Sequence, residues 1–172
     1  MKLTETTAGE FRCPRWSELP DLPLYMDQVL LIVNDALSAV TCEEDRLTST
    51  MVNNYVKQKV LESPQKKKYR RPQVARLMMI AVFKRVLSIS QIKMLFDLLR
   101  TSCDEDQMYD LFCATLEKTI LSAGLEVADL RPSSADAGER ALRAALTAFV
   151  GKIYAESILE EQDTPVDSED ES

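Results

Sequence analysis

The chain has 172 residues, of which 45% are hydrophobic and 28% are charged, and its formal net charge is −7. This composition is typical of a globular protein and excludes disordered, collagen-like and membrane-embedded chains, while the length excludes two large domains. The sequence contains no histidine, so it offers no His-activated nucleophile and no His-ligated metal. Its four glycines lie at no spacing that forms a phosphate-binding loop. We therefore expect a protein that is not an enzyme, with no catalytic residues, no metal and no cofactor.

The positive charge is concentrated in one part of this acidic chain. Residues 57–93 hold eleven basic side chains and one acidic side chain, Glu62. Five basic residues lie between Pro64 and Pro72, where a regular helix cannot form: Lys66, Lys67, Lys68, Arg70 and Arg71. Crowding like charges on a loop costs free energy unless an anion binds there. The pattern indicates an anion-binding surface, for which nucleic acid is the obvious ligand; the alternative is that these residues are solvated faces of ordinary helices.

The first 23 residues predict a tail and an arm. Residues 1–12 show no periodicity, and Pro14, Pro20 and Pro23 then favour an extended arm whose Trp16 ring packs on the domain. The sequence shows no signal peptide and no apolar run long enough to span a bilayer, so we expect a soluble cytoplasmic protein. From residue 24 the apolar residues recur three and four apart, which predicts a first helix that ends near residue 41.

A second helix is predicted over residues 47–59, with Thr48 or Ser49 accepting from its first free amides. Its polar face carries side chains that read base edges or contact phosphates, namely Thr50, Asn53, Asn54, Lys57 and Gln58. The alternative is that the two asparagines are merely exposed polar residues of a helix. Residues 60–69 alternate around Pro64, which favours a short hairpin or wing over a helix.

Four more helices and one link follow in order. Pro72 suits the first turn of a third helix, and Ser88 or Ser90 is expected to cap a short helix over residues 91–99. A helix over 106–123 is closed by Gly124, residues 132–138 form a link, and an alanine-rich helix runs over 139–161. The apolar stripe of this last helix fits packing within the chain and dimerisation equally well. Residues 162–172 are expected to form a disordered acidic tail.

The cysteines, Cys13, Cys42, Cys103 and Cys113, lie far apart in sequence and form no zinc-binding motif. Reduced, partly buried thiols are the default interpretation. Cys103 and Cys113 are candidates for redox-sensing thiols, although packing in a helical core is the favoured interpretation for them as well.

Several stretches between residues 47 and 99 form one ordered pattern: residues 50–57 (TMVNNYVK), 60–61 (VL), 68–69 (KY) and 88–93 (SISQIK). This pattern resembles the DNA-binding domain of MerR-type transcriptional regulators. In that family a recognition helix is followed by a basic wing that ends in Arg-Tyr and then by a helix pair. The whole chain also resembles a bacterial family of small proteins that is built around a domain of unknown function and bears this DNA-binding domain.

The resemblance implies positions for individual residues. Asn53 stands where MerR-type proteins usually carry arginine, Asn54 and Tyr55 stand at two tyrosine positions, and Lys68 and Tyr69 match the Arg-Tyr of the wing. Two features depart from the family pattern. Lys59 replaces the glycine that usually ends the recognition helix, and a long helix replaces the short first one. The C-terminal half shows neither the metal-binding cysteines nor the long dimer helix of the metal sensors, so the resemblance implies DNA binding without metal sensing.

We therefore predict a mostly α fold: a winged helix-turn-helix core with a small hairpin wing, plus a helical C-terminal part. The expected divisions are the tail and arm (1–23), the winged domain (24–101), a helical dimerisation or effector region (102–161) and the acidic tail (162–172). The predicted function is sequence-specific binding of double-stranded DNA in transcription regulation, with a possible homodimer through the C-terminal helices and no effector identified. The alternative is a helical protein-interaction adaptor. The candidate DNA-binding residues are Thr50, Asn53, Asn54, Lys57, Gln58, Lys66, Lys67, Lys68, Tyr69, Arg70 and Arg71.

Overall fold

A computed structural model of the protein describes residues 11–122 and 136–162. Within these residues the chain forms six α-helices, two short 3₁₀ helices (Trp16–Glu18 and Glu43–Asp45) and isolated β-bridges without a sheet, which confirms the expected mostly α architecture. No described helix combines the length and the apolarity needed to cross a bilayer. The helices are α1 (Met26–Ala36), α2 (Ser49–Lys57), α3 (Arg71–Phe83), α4 (Ile89–Leu99), α5 (Glu105–Ser122) and α6 (Ala137–Gln162).

Helix α1 ends at Ala36 rather than near residue 41, because the following residues turn. The amide and the hydroxyl of Ser38 both donate to the carbonyl of Asp35, at 3.2 and 2.7 Å, and the Val40 amide donates to the Leu37 carbonyl at 2.9 Å. These bonds tighten the chain beyond the α-helical pitch. The apolar residues Leu37 and Val40, which extended the periodic pattern, are buried by the turn instead of by a helix.

The caps lie where the sequence predicts them. Thr48 Oγ1 accepts from the Met51 amide at 3.3 Å at the start of α2. At the start of α4, Ser88 Oγ accepts from the Gln91 amide at 3.3 Å while Gln91 Oε1 accepts from the Ser88 amide at 2.8 Å, which is a reciprocal capping box. Pro72 lies in the first turn of α3, as expected. These local signals set where three of the helices begin.

Helix α3 is the centre of the core. Every residue from Gln73 to Phe83 is buried, and α3 packs against α1, α5 and α6. The structure therefore buries this helix on all sides, and its two buried polar side chains are both paired, Gln73 with backbone groups of residues 62, 63 and 70, and Arg76 with Glu105. The Phe83 ring meets the Phe112 ring of α5 edge to face, with centroids 5.6 Å apart.

The N-terminal arm, defined here as residues 11–25, packs on α5, as its Trp16 predicts. The Trp16 ring lies 6.3 Å from the Tyr109 ring, and the Trp16 amide donates to Asp110 at 2.8 Å. Arg15 binds both carboxylate oxygens of Glu117, at 2.8 and 2.6 Å. A bidentate pair of this kind fixes the orientation of the arm as well as its position.

The last helix, α6, packs within the chain against α3, α4 and α5. Its second residue, Gly138, approaches the backbone of α4 closely, because a Cβ at this position would lie 3.1 Å from the Leu98 carbonyl carbon and from the Leu99 nitrogen. Parts of four sequence predictions lie outside the described residues: residues 1–10 of the tail expected at 1–12, the Gly124 stop, residues 132–135 of the link expected at 132–138, and residues 163–172 of the acidic tail expected at 162–172.

Candidate nucleic-acid interface

Helix α2 is held in place by a buried asparagine of α1. The Asn34 side chain, 8% exposed, donates to the Leu47 carbonyl at 3.0 Å and accepts from the Leu47 amide at 2.8 Å. These two bonds satisfy a stretch of backbone that is buried just before the Thr48 cap. They fix the point at which the chain enters α2, so the direction of α2 is set by α1.

The predicted polar face of α2 is exposed in the structure. Thr50, Asn53, Asn54 and Lys57 line a shallow concave surface of about 420 Å³ together with the half-buried Met51. Asn54 Oδ1 accepts from Gln58 Nε2 at 3.2 Å. The side-chain amide of Asn53 makes no hydrogen bond with the described residues, so its NH2 group and its carbonyl oxygen are both available to a ligand.

Helix α2 ends in a Schellman motif. The Val60 amide donates to the Tyr55 carbonyl at 3.1 Å, and the Lys59 amide donates to the Val56 carbonyl at 3.0 Å. Lys59 has φ 57°, in the left-handed region that glycine usually occupies at this position. Val60 and Leu61 are buried directly afterwards, so the Lys59 side chain is exposed where the chain turns away from α2.

Residues 61–69 then form a tight hairpin, which we call the lysine hairpin. Gln65 and Lys68 exchange backbone bonds of 3.0 and 2.9 Å, and the two residues between them, Lys66 and Lys67, have φ 49° and 63°. Positive φ at both central residues is the type I′ arrangement, for which asparagine and glycine are preferred. Both lysine side chains are exposed at the tip.

The base of the lysine hairpin is tied to the arm and to α3. Leu24 and Tyr69 exchange two backbone bonds of 2.8 Å each. The buried Gln73 of α3 accepts from the Arg70 amide at 2.8 Å and donates to the carbonyls of residues 62 and 63, at 3.0 and 3.2 Å. The lysine hairpin is therefore anchored at its base while its tip extends into solvent.

Three of the candidate DNA-binding residues are less accessible to a ligand than the sequence suggests. Tyr69 is 2% exposed, and burial raises the pKa of its hydroxyl, so we remove its side chain from the candidate interface. Arg71 is half-buried, donates from Nε to the Leu19 carbonyl at 3.1 Å and lies 3.4 Å from Asp21. Lys68 lies over the Tyr25 ring, with Nζ 4.8 Å from the ring centre.

Fewer basic side chains of residues 57–93 are exposed in the structure than the sequence suggests. Arg76 is buried in an ion pair with Glu105, and Arg85 is held between Asp45 and Glu156. Burial lowers the pKa of Lys84, whose Nζ lies 3.9 Å from Met51 Sδ. The exposed cations next to α2 and the lysine hairpin are Lys57, Lys59, Lys66, Lys67 and Arg70.

One pair of functional candidates was missed by the sequence. Cys13 and Cys113, both 0% exposed, lie with their Sγ atoms 3.1 Å apart, whereas the sequence suggests Cys103 and Cys113 as the redox candidates. No local signal could have found this pair, because 100 positions separate the two residues. Among residues 11–122 and 136–162 no cluster of cysteine and carboxylate groups is suited to a metal ion.

Comparison with known proteins places the chain in a family. No curated protein and no solved structure matches it. Residues 14–114 match a family described as "Domain of unknown function (DUF1836)". The match begins in the N-terminal arm, spans the α2 face and the lysine hairpin, and ends within α5. Because this region is more than half of the chain, the protein belongs to the DUF1836 family.

Proposed function

We propose that the protein is a sequence-specific regulator of transcription that binds double-stranded DNA through α2 and the lysine hairpin. One observation carries the proposal: three exposed lysines, Lys59, Lys66 and Lys67, occupy left-handed backbone positions in and beside the same short hairpin. A left-handed conformation costs a residue with a Cβ roughly 1–2 kcal/mol, whereas glycine adopts it freely. Strain of this kind concentrates at functional sites, and positive charge kept at such positions is explained by a polyanionic ligand.

The parts of the surface then have separate tasks. The α2 face enters the major groove, where the Asn53 amide can pair with adenine through one donor and one acceptor. Lys59, Lys66, Lys67 and Arg70 contact phosphates, which position the protein without reading sequence. Lys57 lies on both the α2 face and its basic end, so it contributes to either task.

The resemblance to MerR-type proteins supports the same assignment. Lys59 keeps the left-handed backbone that the glycine of those proteins would permit at the end of the recognition helix. The backbone hydrogen bonds between Leu24 and Tyr69 add a segment of the N-terminal arm to the two sides of the lysine hairpin. One feature differs from an ordinary helix-turn-helix: residues 37–48 separate α1 from α2, where such motifs use about three or four.

The proposal includes a homodimer through the C-terminal helices. Two DNA-binding surfaces related by a two-fold axis bind half-sites about one helical turn, or a multiple, apart. On α6, Ala144, Ala148, Gly151 and Ala155 are exposed and recur three and four apart, so they form a stripe of small residues. A Cβ at Gly151 would meet no atom within 4 Å.

The test is selection from a pool of random duplex DNA at two salt concentrations, followed by sequencing of the bound fraction. We expect enrichment of a palindrome and an affinity that falls with salt, with a slope near −0.9 per phosphate contact in a plot of log K against log salt. Salt-sensitive binding without enrichment would mean that the hairpin holds phosphates while the α2 face reads no sequence. An affinity independent of salt would contradict the proposal.

A second candidate function is that of a helical adaptor that binds another protein. It is favoured by an apolar groove of about 420 Å³ between α4 and α6, in which Met94 and Leu98 are 64% and 40% exposed. Exposed apolar side chains of this size in a concave surface are typical of protein contacts. Absence of DNA binding at both salt concentrations would favour the adaptor.

A further inference from the structure

We propose that Cys13 and Cys113 form a thiol-oxidation site, at which a low-molecular-weight disulfide reversibly converts the two thiols into one disulfide that fixes the N-terminal arm on α5. The Sγ atoms lie 3.1 Å apart, within about 1 Å of a disulfide bond length of roughly 2.05 Å. Both residues are free cysteines. A small adjustment of the arm is therefore enough to bring the sulfur atoms to bonding distance.

The surroundings of the pair keep it reduced while the arm is in place. Both side chains are 0% exposed, and the Tyr109 hydroxyl lies 3.9 Å from Cys13 Sγ. The hydrogen bond to Cys13, together with burial, raises the pKa of the Cys113 thiol. Because the thiolate is the nucleophile, oxidation begins only when the arm lifts and exposes Cys13 to solvent.

The arm is a peripheral segment that packs on the core through buried side chains such as Leu19, which is 2% exposed, as well as through polar contacts. Between Cys13 and Leu24 it is held by polar contacts at separate points: Arg15 on Glu117, the Trp16 amide on Asp110, the Leu19 carbonyl on Arg71 and Leu24 on Tyr69. Cys113, in contrast, belongs to the core helix α5. A disulfide would join this peripheral segment covalently to the core.

The chemistry proceeds by two exchanges. The Cys13 thiolate attacks one sulfur of the small disulfide, which forms a mixed disulfide and releases one small thiol. As the arm returns, and before Cys113 is buried again, the Cys113 thiolate attacks Cys13 Sγ, which forms the Cys13–Cys113 bond and releases the second small thiol. Two protein thiols are oxidised and one small disulfide is reduced to two thiols, whose two protons come from the cysteines.

The experiment uses the full chain incubated with glutathione disulfide, then alkylated and mapped as peptides without reduction. We expect a Cys13–Cys113 crosslink, and a melting temperature higher than that of the reduced protein by on the order of 10 °C, because the bond closes a long loop. Excess dithiothreitol should restore the original melting temperature. The prediction requires no DNA, so its failure is distinguishable from failure of the proposed function.

Matched variants separate the site from the other thiols. The variant Cys42→Ser with Cys103→Ser should keep both the crosslink and the shift in melting temperature. Cys13→Ala should lose the shift while its reduced form still melts cooperatively. Because Cys113→Ser alters the buried core and can fail to fold, the peptide map of the unaltered protein decides the matter. Glutathione adducts without a Cys13–Cys113 crosslink, or a crosslink without a change in melting temperature, would overturn the proposal.

Discussion

Lys59, Lys66 and Lys67 each carry a positive side-chain charge while the backbone adopts a left-handed conformation that disfavours lysine. Each would lie more easily in its turn as glycine or asparagine, and each instead places an exposed ammonium group in or next to the lysine hairpin. Tyr69 differs from these lysines. Its ring is buried, and only its backbone contributes to the lysine hairpin, through the two hydrogen bonds to Leu24. The residues of one short segment thus have different roles, which depend on whether their side chains are exposed or buried.

The first residue-scale prediction concerns the turn. Replacing Lys66→Asn together with Lys67→Gly should raise the free energy of unfolding by about 1–2 kcal/mol, because the new residues fit a type I′ turn. The same variant should bind DNA more weakly and lower the magnitude of the salt slope by about 2 for each protomer bound, since each protomer loses two phosphate contacts. Urea unfolding and DNA titration at several salt concentrations measure the two effects. The exposed Lys118→Gln on α5 is the control and should change neither.

The second residue-scale prediction concerns recognition of the DNA sequence by Asn53. Asn53→Ala should weaken binding to the selected site by about 1–3 kcal/mol and leave binding to random duplex nearly unchanged, because a base contact is lost and no charge is removed. Lys67→Ala, as the comparison, should weaken both. Fluorescence anisotropy with both duplexes gives the two affinities. Equal losses for Asn53→Ala on the two duplexes would show that this residue does not read a base.

At the scale of elements, α2 and the arm are each held on the core by a few directed bonds. Asn34 orients the entry to α2, Gln73 holds the base of the lysine hairpin, and Glu117 accepts from Arg15 and from the Cys13 amide. A short helix such as α2 is marginal on its own in water. Its position therefore depends on its cap and on contacts with the rest of the chain.

Asn34→Ala should lower the free energy of unfolding by about 2 kcal/mol, because the Leu47 amide and carbonyl lose their partner in a buried place. Urea unfolding measures this loss. Asn54→Ala is the matched control: it removes only an exposed bond to Gln58 and should change stability by about 0.5 kcal/mol or less. A loss for Asn34→Ala no larger than that of the control would contradict the role of Asn34 in positioning α2.

Glu117 makes the docking of the arm sensitive to acid. Partial burial alone would raise the pKa of Glu117, but hydrogen bonds from Arg15 and the Cys13 amide outweigh it and lower the pKa below its ordinary value. Its contribution to stability is therefore complete above the unfolded-state pKa of about 4.3 and is lost as pH falls through the folded-state value.

The corresponding variant is Glu117→Gln. Between neutral pH and about pH 3.5, its urea midpoint should fall less than that of the unaltered protein, since the ionised carboxylate is already absent. The exposed Glu62→Gln serves as control and should follow the unaltered protein. Identical pH profiles for Glu117→Gln and the unaltered protein would show that this carboxylate does not hold the arm.

At the scale of the whole molecule, the buried side chains form one hydrophobic cluster that reaches from Cys13 to Ile153. The net charge of −7 nevertheless coexists with an exposed basic surface, to which the arginines at 76 and 85 add nothing because they are paired internally with acidic residues. The lysines at 57, 59, 66 and 67 remain exposed. Four exposed lysines are thus concentrated on α2, its C-terminal turn and the lysine hairpin of a chain whose net charge is negative.

The acidic tail should oppose DNA binding at this scale. A chain that ends at Glu161 should bind duplex DNA more tightly than the full chain, because the removed residues carry negative charge that competes with phosphates for the basic surface. Titrations of both forms at low and high salt measure the difference, which should shrink as salt screens it. Equal affinities at low salt would contradict autoinhibition by the tail.

The sequence alone determined the features that depend on neighbouring residues. Helix periodicity, the Thr48 and Ser88 caps, Pro72 in a first turn and the break around Pro64 are local, since each depends on residues within a few positions. They were enough to predict a mostly helical chain, the exposed polar face of α2 and the crowded lysines that follow it. The end of α1 was missed, because the apolar pattern continues through a turn that hydrogen bonds close.

Only the tertiary structure decided which of the predicted residues are available to a ligand. Tyr69 is buried because it pairs with Leu24 on the arm, and Arg71 is engaged by the residues at 19 and 21. Cys13 meets Cys113 across 100 positions of sequence. Such contacts join segments distant in the chain, and their energies depend on burial and on the geometry of the assembled core, which periodicity and local propensity do not encode.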